Sequence, residues 1–230
     1  MITSKDNDAV KLARKLLNQH KHRAETGLFA VEGEDLVLAA QAAGIEPVAL
    51  FLAGETAAAD VLASLSTLPH PARAIGVYRA GDLPTAPRPV TVALWQVTDP
   101  GNVGTLMRTA DAYGAAIALS AGCSDPLSPK ATRAAAGATF RVPIVPWPEL
   151  DARTIALDAH DGAPLPSADL DLERPVTILL GAERTGLPDN LATQCCKVRI
   201  PLLGPAESLN VAAAGAIALY EISSRLADSR

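Results

Sequence analysis

Apolar runs of strand length alternate with stretches of helical periodicity along this chain, and that alternation restricts the fold more than any other feature. The clearest runs are Val90–Val97 and Val176–Leu180. Strands this apolar, broken only by Thr91, Gln96 and Thr177, have no solvent face, so their sheet must be covered on both sides, as in a parallel sheet with crossover helices. Around these runs the spacing predicts helices over Val103–Tyr113, Lys130–Ala136 and Ser208–Leu226. It predicts extended segments over Ile117–Leu119, Val142–Val145, Thr154–Leu157 and Val198–Ile200. The first eighty residues alternate too. A helix over Asp8–Asn18 would turn Val10, Ala13, Leu16 and Leu17 inward, and Asp35–Ala43 would stop at Gly44. Ala57–Ser66 reads as helical, with Phe29–Val31, Val48–Leu52 and Ile75–Tyr78 as strands. Between the two parts, Gly81–Pro89 carries Pro84, Pro87 and Pro89, which neither a helix interior nor a central strand accepts. The expected division is a domain over 1–80, a linker over 81–89 and a second domain over 90–230.

Hydrophobic residues make up 49% of the 230 and charged residues 20%, which supplies a core and excludes a disordered chain. No apolar run approaches the roughly 18 residues of a membrane span. The first residues lack the apolar core of a secretory signal. Cys123, Cys195 and Cys196 are too few for a disulfide framework. The expectation is free thiols in a reducing cytoplasm. His20, His22, His70 and His160 are scattered, and no Cys/His cluster has zinc spacing, so no metal is expected. Charge is uneven: residues 1–24 hold six Lys or Arg against two Asp, on a chain of net charge −5. Such a cluster either solvates a helix face or contacts phosphates.

A P-loop NTPase, a dinucleotide-binding oxidoreductase and a serine hydrolase each lose their main support. The chain has no G-x-x-x-x-G-K-[ST], no G-x-G-x-x-G after a strand and no G-x-S-x-G. Three other stretches place polar residues and glycines just beyond strand ends, where open α/β sheets bind ligands. The first, Asp99–Ala110, contains Asn102, positioned to cap a helix, and Arg108 on its flank. The second, Gly181–Pro188, sets Glu183 between two glycines. The third, Ile200–Ala214, leads through Gly204 to Ser208, a candidate N-cap, and to Asn210, a poor helix former in a first turn.

In order and spacing, these stretches resemble the SpoU/TrmH family of RNA ribose 2′-O-methyltransferases. The family's N-x-G-x-x-x-R-x-A helix stands as Asn102, Gly104, Arg108 and Ala110, and its G-x-E-x-x-G as Gly181, Glu183 and Gly186. Its I-P-x-x-G-x-x-x-S-L-N-V segment stands as Ile200, Pro201, Gly204, Ser208, Leu209, Asn210 and Val211. Ser128–Ala138 is also similar to the family, and residues 20–52 look like part of a small RNA-binding domain found in many members.

The resemblance implies an α/β parallel-sheet catalytic domain whose C-terminal segment forms a deep trefoil knot, preceded by a small N-terminal α/β substrate-binding domain. It implies a homodimer, with S-adenosylmethionine held by Gly181, Ile200 and Leu209. Arg108 becomes the central catalytic residue, placed near the partner subunit's cofactor. A guanidinium normally stays charged, so stabilising a developing alkoxide or gripping a phosphate suits it better than abstracting a proton. Asn102, Glu183, Ser208 and Asn210 become catalytic-site residues that position the ribose or Arg108. Lys11, Arg14, Lys15, Lys21 and Arg23 become phosphate contacts. The expected activity is methyl transfer to a ribose 2′-hydroxyl, the group RNA has and DNA lacks. Ribosomal RNA is the expected substrate. The competing readings are a transfer-RNA methyltransferase, a non-catalytic RNA-binding or assembly factor on the same fold, and an enzyme of small metabolites.

Overall fold

Asn7 caps the first helix, α1 (Asp8–Asn18), through its side-chain oxygen, which accepts from the Ala9 amide at 3.0 Å. The buried face of α1 is Val10, Ala13, Leu16 and Leu17, the set that the periodicity selects. The computed structural model describes residues 1–173 and 175–228. The chain then runs through α2 (His20–Thr26), β1 (Leu28–Glu32), α3 (Glu34–Ala42), β2 (Ala49–Leu52), α4 (Ala59–Leu65) and β3 (Ala74–Arg79). The second part holds β4 (Val90–Leu94), α5 (Pro100–Ala112), β5 (Ala116–Leu119), α6 (Pro129–Ala135), β6 (Ile144–Val145), β7 (Ile155–Leu157) and β8 (Ala163–Pro164). It ends with β9 (Val176–Leu180), α7 (Asp189–Ala192), β10 (Cys196–Arg199) and α8 (Val211–Asp228).

Two compact units result, and their boundaries do not follow chain order. The N-terminal unit is 1–84 together with 125–141; the C-terminal unit is 85–124 with 142–230. The chain first passes between them inside the proline-rich stretch. It crosses again at Ser124/Asp125 and Arg141/Val142, so α6 packs in the N-terminal unit. No composition change marks that excursion.

In the N-terminal unit the strands pair antiparallel in the order β1-β3-β2. Alternation along the strands feeds two core layers. Ala30, Phe51, Ile75 and Val77 pack with the buried face of α1 and with Val61, Leu62 and Leu65 of α4. Phe29, Val31 and Tyr78 face the other way, onto Leu36 and Ala40 of α3 and onto Phe140 of the excursion. The rings of Phe29, Tyr78 and Phe140 have centroids 5.2–6.0 Å apart. Two ion pairs bind the excursion to the rest of the unit: Arg23 to Asp125 at 2.7 Å and Arg133 to Glu32 at 2.6 Å.

The C-terminal unit is a seven-stranded sheet, β6-β5-β4-β9-β7-β10-β8, parallel at every described pairing. Its centre is apolar on both faces, as Val92, Ala93, Ile178 and Leu179 are all buried. Helix α8 crosses close over β9 and α5 because it carries Gly215. A methyl group there would lie 2.7 Å from Leu180 Cδ1 and would also strike Leu106. Among the described residues, no helix is long and apolar enough to cross a membrane.

Candidate active site

The carboxyl ends of β7, β9 and β10 open onto a cleft of about 330 Å³, at the low end of the ~300–1,000 Å³ of small-ligand sites. Its apolar walls come from Leu180, Ile200, Leu202, Leu209 and Val211. Beyond β9 the chain doubles back tightly. The Ala182 amide donates to the Gly186 carbonyl at 3.1 Å, and the Gly186 amide donates to the Ala182 carbonyl at 3.0 Å. Gly181 is required under this turn, since a Cβ on it would lie 2.7 Å from the Gly186 carbonyl oxygen.

Glu183 sits at the tip of the turn. Its carboxylate accepts from the Thr98 and Asp99 amides, both at 3.3 Å, and from Asn102 Nδ2 at 3.1 Å. Burial pushes its pKa up, but the Asn102 side chain and the amide donors outweigh that and hold it below its ordinary value. Asn102 Oδ1 in turn accepts from Asn210 Nδ2 at 3.0 Å. The Asn210 Oδ1 accepts from the Ala212 and Ala213 amides at 2.9 and 3.3 Å. One hydrogen-bonded chain therefore joins the β9 turn to the N-termini of α5 and α8.

Two caps differ from the sequence reading. Asp99, not Asn102, caps α5: its Oδ1 accepts from the Gly101 and Asn102 amides at 2.6 and 3.2 Å. Asp99 precedes Pro100, the residue type best tolerated at a first helical position. That leaves the Asn102 side chain to reach Glu183 and Asn210. Likewise α8 opens at Val211 with Asn210 as its cap. Ser208 stays in the preceding loop and lines the cleft. Asn210 is thus outside the first turn, where its type is favoured.

The cleft brings together Gly181, Glu183, Ile200, Ser208 and Leu209, with Asn102 bonded to Glu183 and Asn210 to Asn102. Arg108 is elsewhere: it lies exposed on α5 and does not line the cleft within a single chain. Lys11, Lys15 and Lys21 are exposed and Arg14 is half-buried. Arg23 corrects the sequence expectation. It is 8% exposed, with its guanidinium held by Asp125 and by the Leu16 carbonyl at 2.6 Å, so this arrangement leaves it no phosphate contact. Sequence reading passed over Asp158, His160 and Arg184, which also line the cleft. Arg184 stood within the quoted loop, whereas Asp158 and His160 follow a three-residue strand with no motif. Among the described residues, no three His, Cys, Asp or Glu side chains converge as a metal site would need.

The sequence model of the SpoU rRNA Methylase family matches residues 89–220, and that of an MRM3-like substrate binding domain matches residues 7–78. The chain belongs to the SpoU rRNA methylase family. It is similar to the 23S rRNA (guanosine(2553)-2′-O)-methyltransferase RlmP of Bacillus subtilis, 30% identical across 96% of this chain and 98% of the relative. An AdoMet-bound rRNA methyltransferase structure from Sinorhizobium meliloti superposes with a TM-score of 0.85. The two are 31% identical, covering 98% of this chain and 97% of that one. The SpoU methyltransferase AviRb from Streptomyces viridochromogenes, in complex with AdoMet, gives 0.81 at 25% identity, covering 97% of this chain and all of that one.

Proposed function

We propose that this SpoU family member is an S-adenosylmethionine-dependent RNA methyltransferase that modifies a ribose 2′-hydroxyl of ribosomal RNA. The convergence of the β7, β9 and β10 loops on one cleft, tied by hydrogen bonds to the helix that bears Arg108, carries the reading. Ribosomal RNA is preferred to transfer RNA because the Bacillus subtilis and Streptomyces viridochromogenes relatives named for a defined nucleotide are 23S rRNA methyltransferases.

The residues present fit the cofactor. The apolar walls suit an adenine ring, and the tight turn that only a glycine at 181 permits lines the same cleft with its backbone. Gly181, Ile200 and Leu209 would hold it there. When bound, S-adenosylmethionine supplies the methyl group on its sulfonium. The chain's own residues supply the rest. Glu183, ionised at neutral pH, fixes Asn102 and hence the start of α5. Asn210 fixes the start of α8 against the same Asn102. Ser208 lines the cleft where it can donate to the acceptor ribose. Arg108 stabilises the negative charge that develops on the ribose oxygen as its proton passes to solvent water. Holding acceptor and methyl donor aligned supplies much of the acceleration.

Because Arg108 stands outside the cleft of its own chain, the reading includes a homodimer in which each arginine serves the partner's cleft. It also includes a trefoil knot formed by the chain around β9, β10 and α8, and a cytoplasmic location. Residues 1–80 act as the RNA-binding domain, with Lys11, Arg14, Lys15 and Lys21 positioning the substrate through phosphates. Arg108→Ala tests the assignment: methyl transfer to ribosomal RNA should fall at least about 100-fold, with S-adenosylmethionine affinity by calorimetry unchanged. Near-normal turnover in that variant would refute it. Mixed dimers of Arg108→Ala and Gly181→Leu chains, each inactive alone, should regain activity; silence in the mixture sinks the shared site.

A further inference from the structure

We propose that Arg184 grips an RNA phosphate next to the acceptor ribose, making it a substrate-positioning residue of the cleft; this rests on the function proposed above. Arg184 lies at the tip of the β9 turn and is the one Lys or Arg among the described residues that line the cleft. The other charged groups there include the carboxylates of Asp158 and Glu183, on a chain of net charge −5. A phosphodiester entering such a cleft meets like charge unless a fixed cation receives it.

The turn presents that cation. Its base is closed by the two backbone hydrogen bonds between Ala182 and Gly186, so the Arg184 backbone is held while its side chain stays exposed. The adjacent carboxylate does not neutralise it. Glu183 is engaged by the Thr98 and Asp99 amides and by Asn102. Among the described residues, no ion pair or hydrogen bond occupies the Arg184 guanidinium. A guanidinium presents a planar fork that matches two phosphate oxygens. The methionine carboxylate of the cofactor is the other anion within the chemistry of this site. The exposed tip favours the phosphate, because a polyanion too large for the cleft must approach from the solvent side.

The test compares wild type, Arg184→Ala and Arg184→Lys on bulk ribosomal RNA from cells lacking this gene, with S-adenosylmethionine affinity measured separately by calorimetry. The expected result for Arg184→Ala is a KM for RNA raised about tenfold, as for a lost charge-assisted bond, with cofactor affinity within twofold of wild type. The slope of log affinity for RNA against log salt should shrink by about one. Arg184→Lys should keep the wild-type slope while losing part of the affinity. A weakened cofactor affinity in Arg184→Ala would assign the guanidinium to the cofactor carboxylate and overturn the proposal. An unchanged KM for RNA overturns it as well. Absence of 2′-O-methylation by the wild-type protein overturns the underlying function too, and is recognised without reference to either variant.

Discussion

Two glutamates show how differently the two units use charge. Glu32 closes β1 in the N-terminal unit with a fully buried side chain, bound by Arg133 Nη1 at 2.6 Å, the Thr67 amide at 2.8 Å and the Ser66 and Thr67 hydroxyls. Glu183 follows β9 in the C-terminal unit, exposed at a cleft, with donors at 3.1–3.3 Å. Both carboxylates are satisfied, and both stand at the end of a strand. The first links segments a hundred residues apart in sequence and opens onto no cleft. The second holds in register the helix starts that frame one. Polar satisfaction therefore does not mark function by itself; its position relative to the cleft does.

The contrast breaks most visibly at Glu32. Glu32→Ala leaves the Arg133 guanidinium, two-thirds buried, and the Thr67 amide without their partner. Stability should fall by about 3 kcal/mol, the lower end for a broken buried pair, read as a shift in the urea unfolding midpoint. Methyl transfer per folded molecule should hold. A loss under about 1 kcal/mol, the range of exposed pairs, would mean that the pair does not anchor the excursion.

Asn210 sharpens the comparison from the cleft side, because it has two separable jobs. Asn210→Ala removes the α8 cap and should cost about 1 kcal/mol. Asn210→Asp keeps a capping oxygen but loses the Nδ2 that donates to Asn102. Stability in Asn210→Asp should match wild type while turnover drops at least about tenfold, since small misplacements of positioning groups are costly to rate. Equal losses of stability and turnover in both variants would reduce Asn210 to a cap.

Much of this arrangement was legible in the residues. The largely apolar Val176–Leu180 forms a strand at the predicted bounds, and the buried face of α1 is the set that 3.6-residue spacing selects. Two of the three ordered motifs supply the cleft, and Gly181, Ile200 and Leu209 lie in its lining. What escaped was long-range. Nothing local to Asp125–Arg141 shows that Asp125 and Arg133 will meet Arg23 and Glu32, so Arg23 read as a phosphate contact. The capping roles of Asp99 and Asn210 were missed because several cap-forming residues stand within a few positions of each helix start, and propensity alone does not choose among them. The short strand β7 left Asp158 and His160 with no periodic pattern to mark them.

The smallest effect concerns the charge on Glu183. Its pKa is held below the ordinary 4.5 by Asn102 and by backbone donors, against the opposing push of burial. A carboxylate with a depressed folded-state pKa favours the folded state above its unfolded pKa, and that advantage disappears as pH falls through the folded value. The wild-type protein should therefore unfold at higher urea than Glu183→Gln above about pH 5. The gap should close as pH drops below 4.5. Glutamine keeps one oxygen for Asn102 and the Asp99 amide but sets an NH2 against the Thr98 amide, so the pH-dependent part of the difference reports the charge. Because the group is exposed and its bonds are long, solvent screening keeps the gap small, well below the loss expected at Glu32. A gap that persists unchanged at low pH would place the stabilisation in packing rather than in the ionised carboxylate.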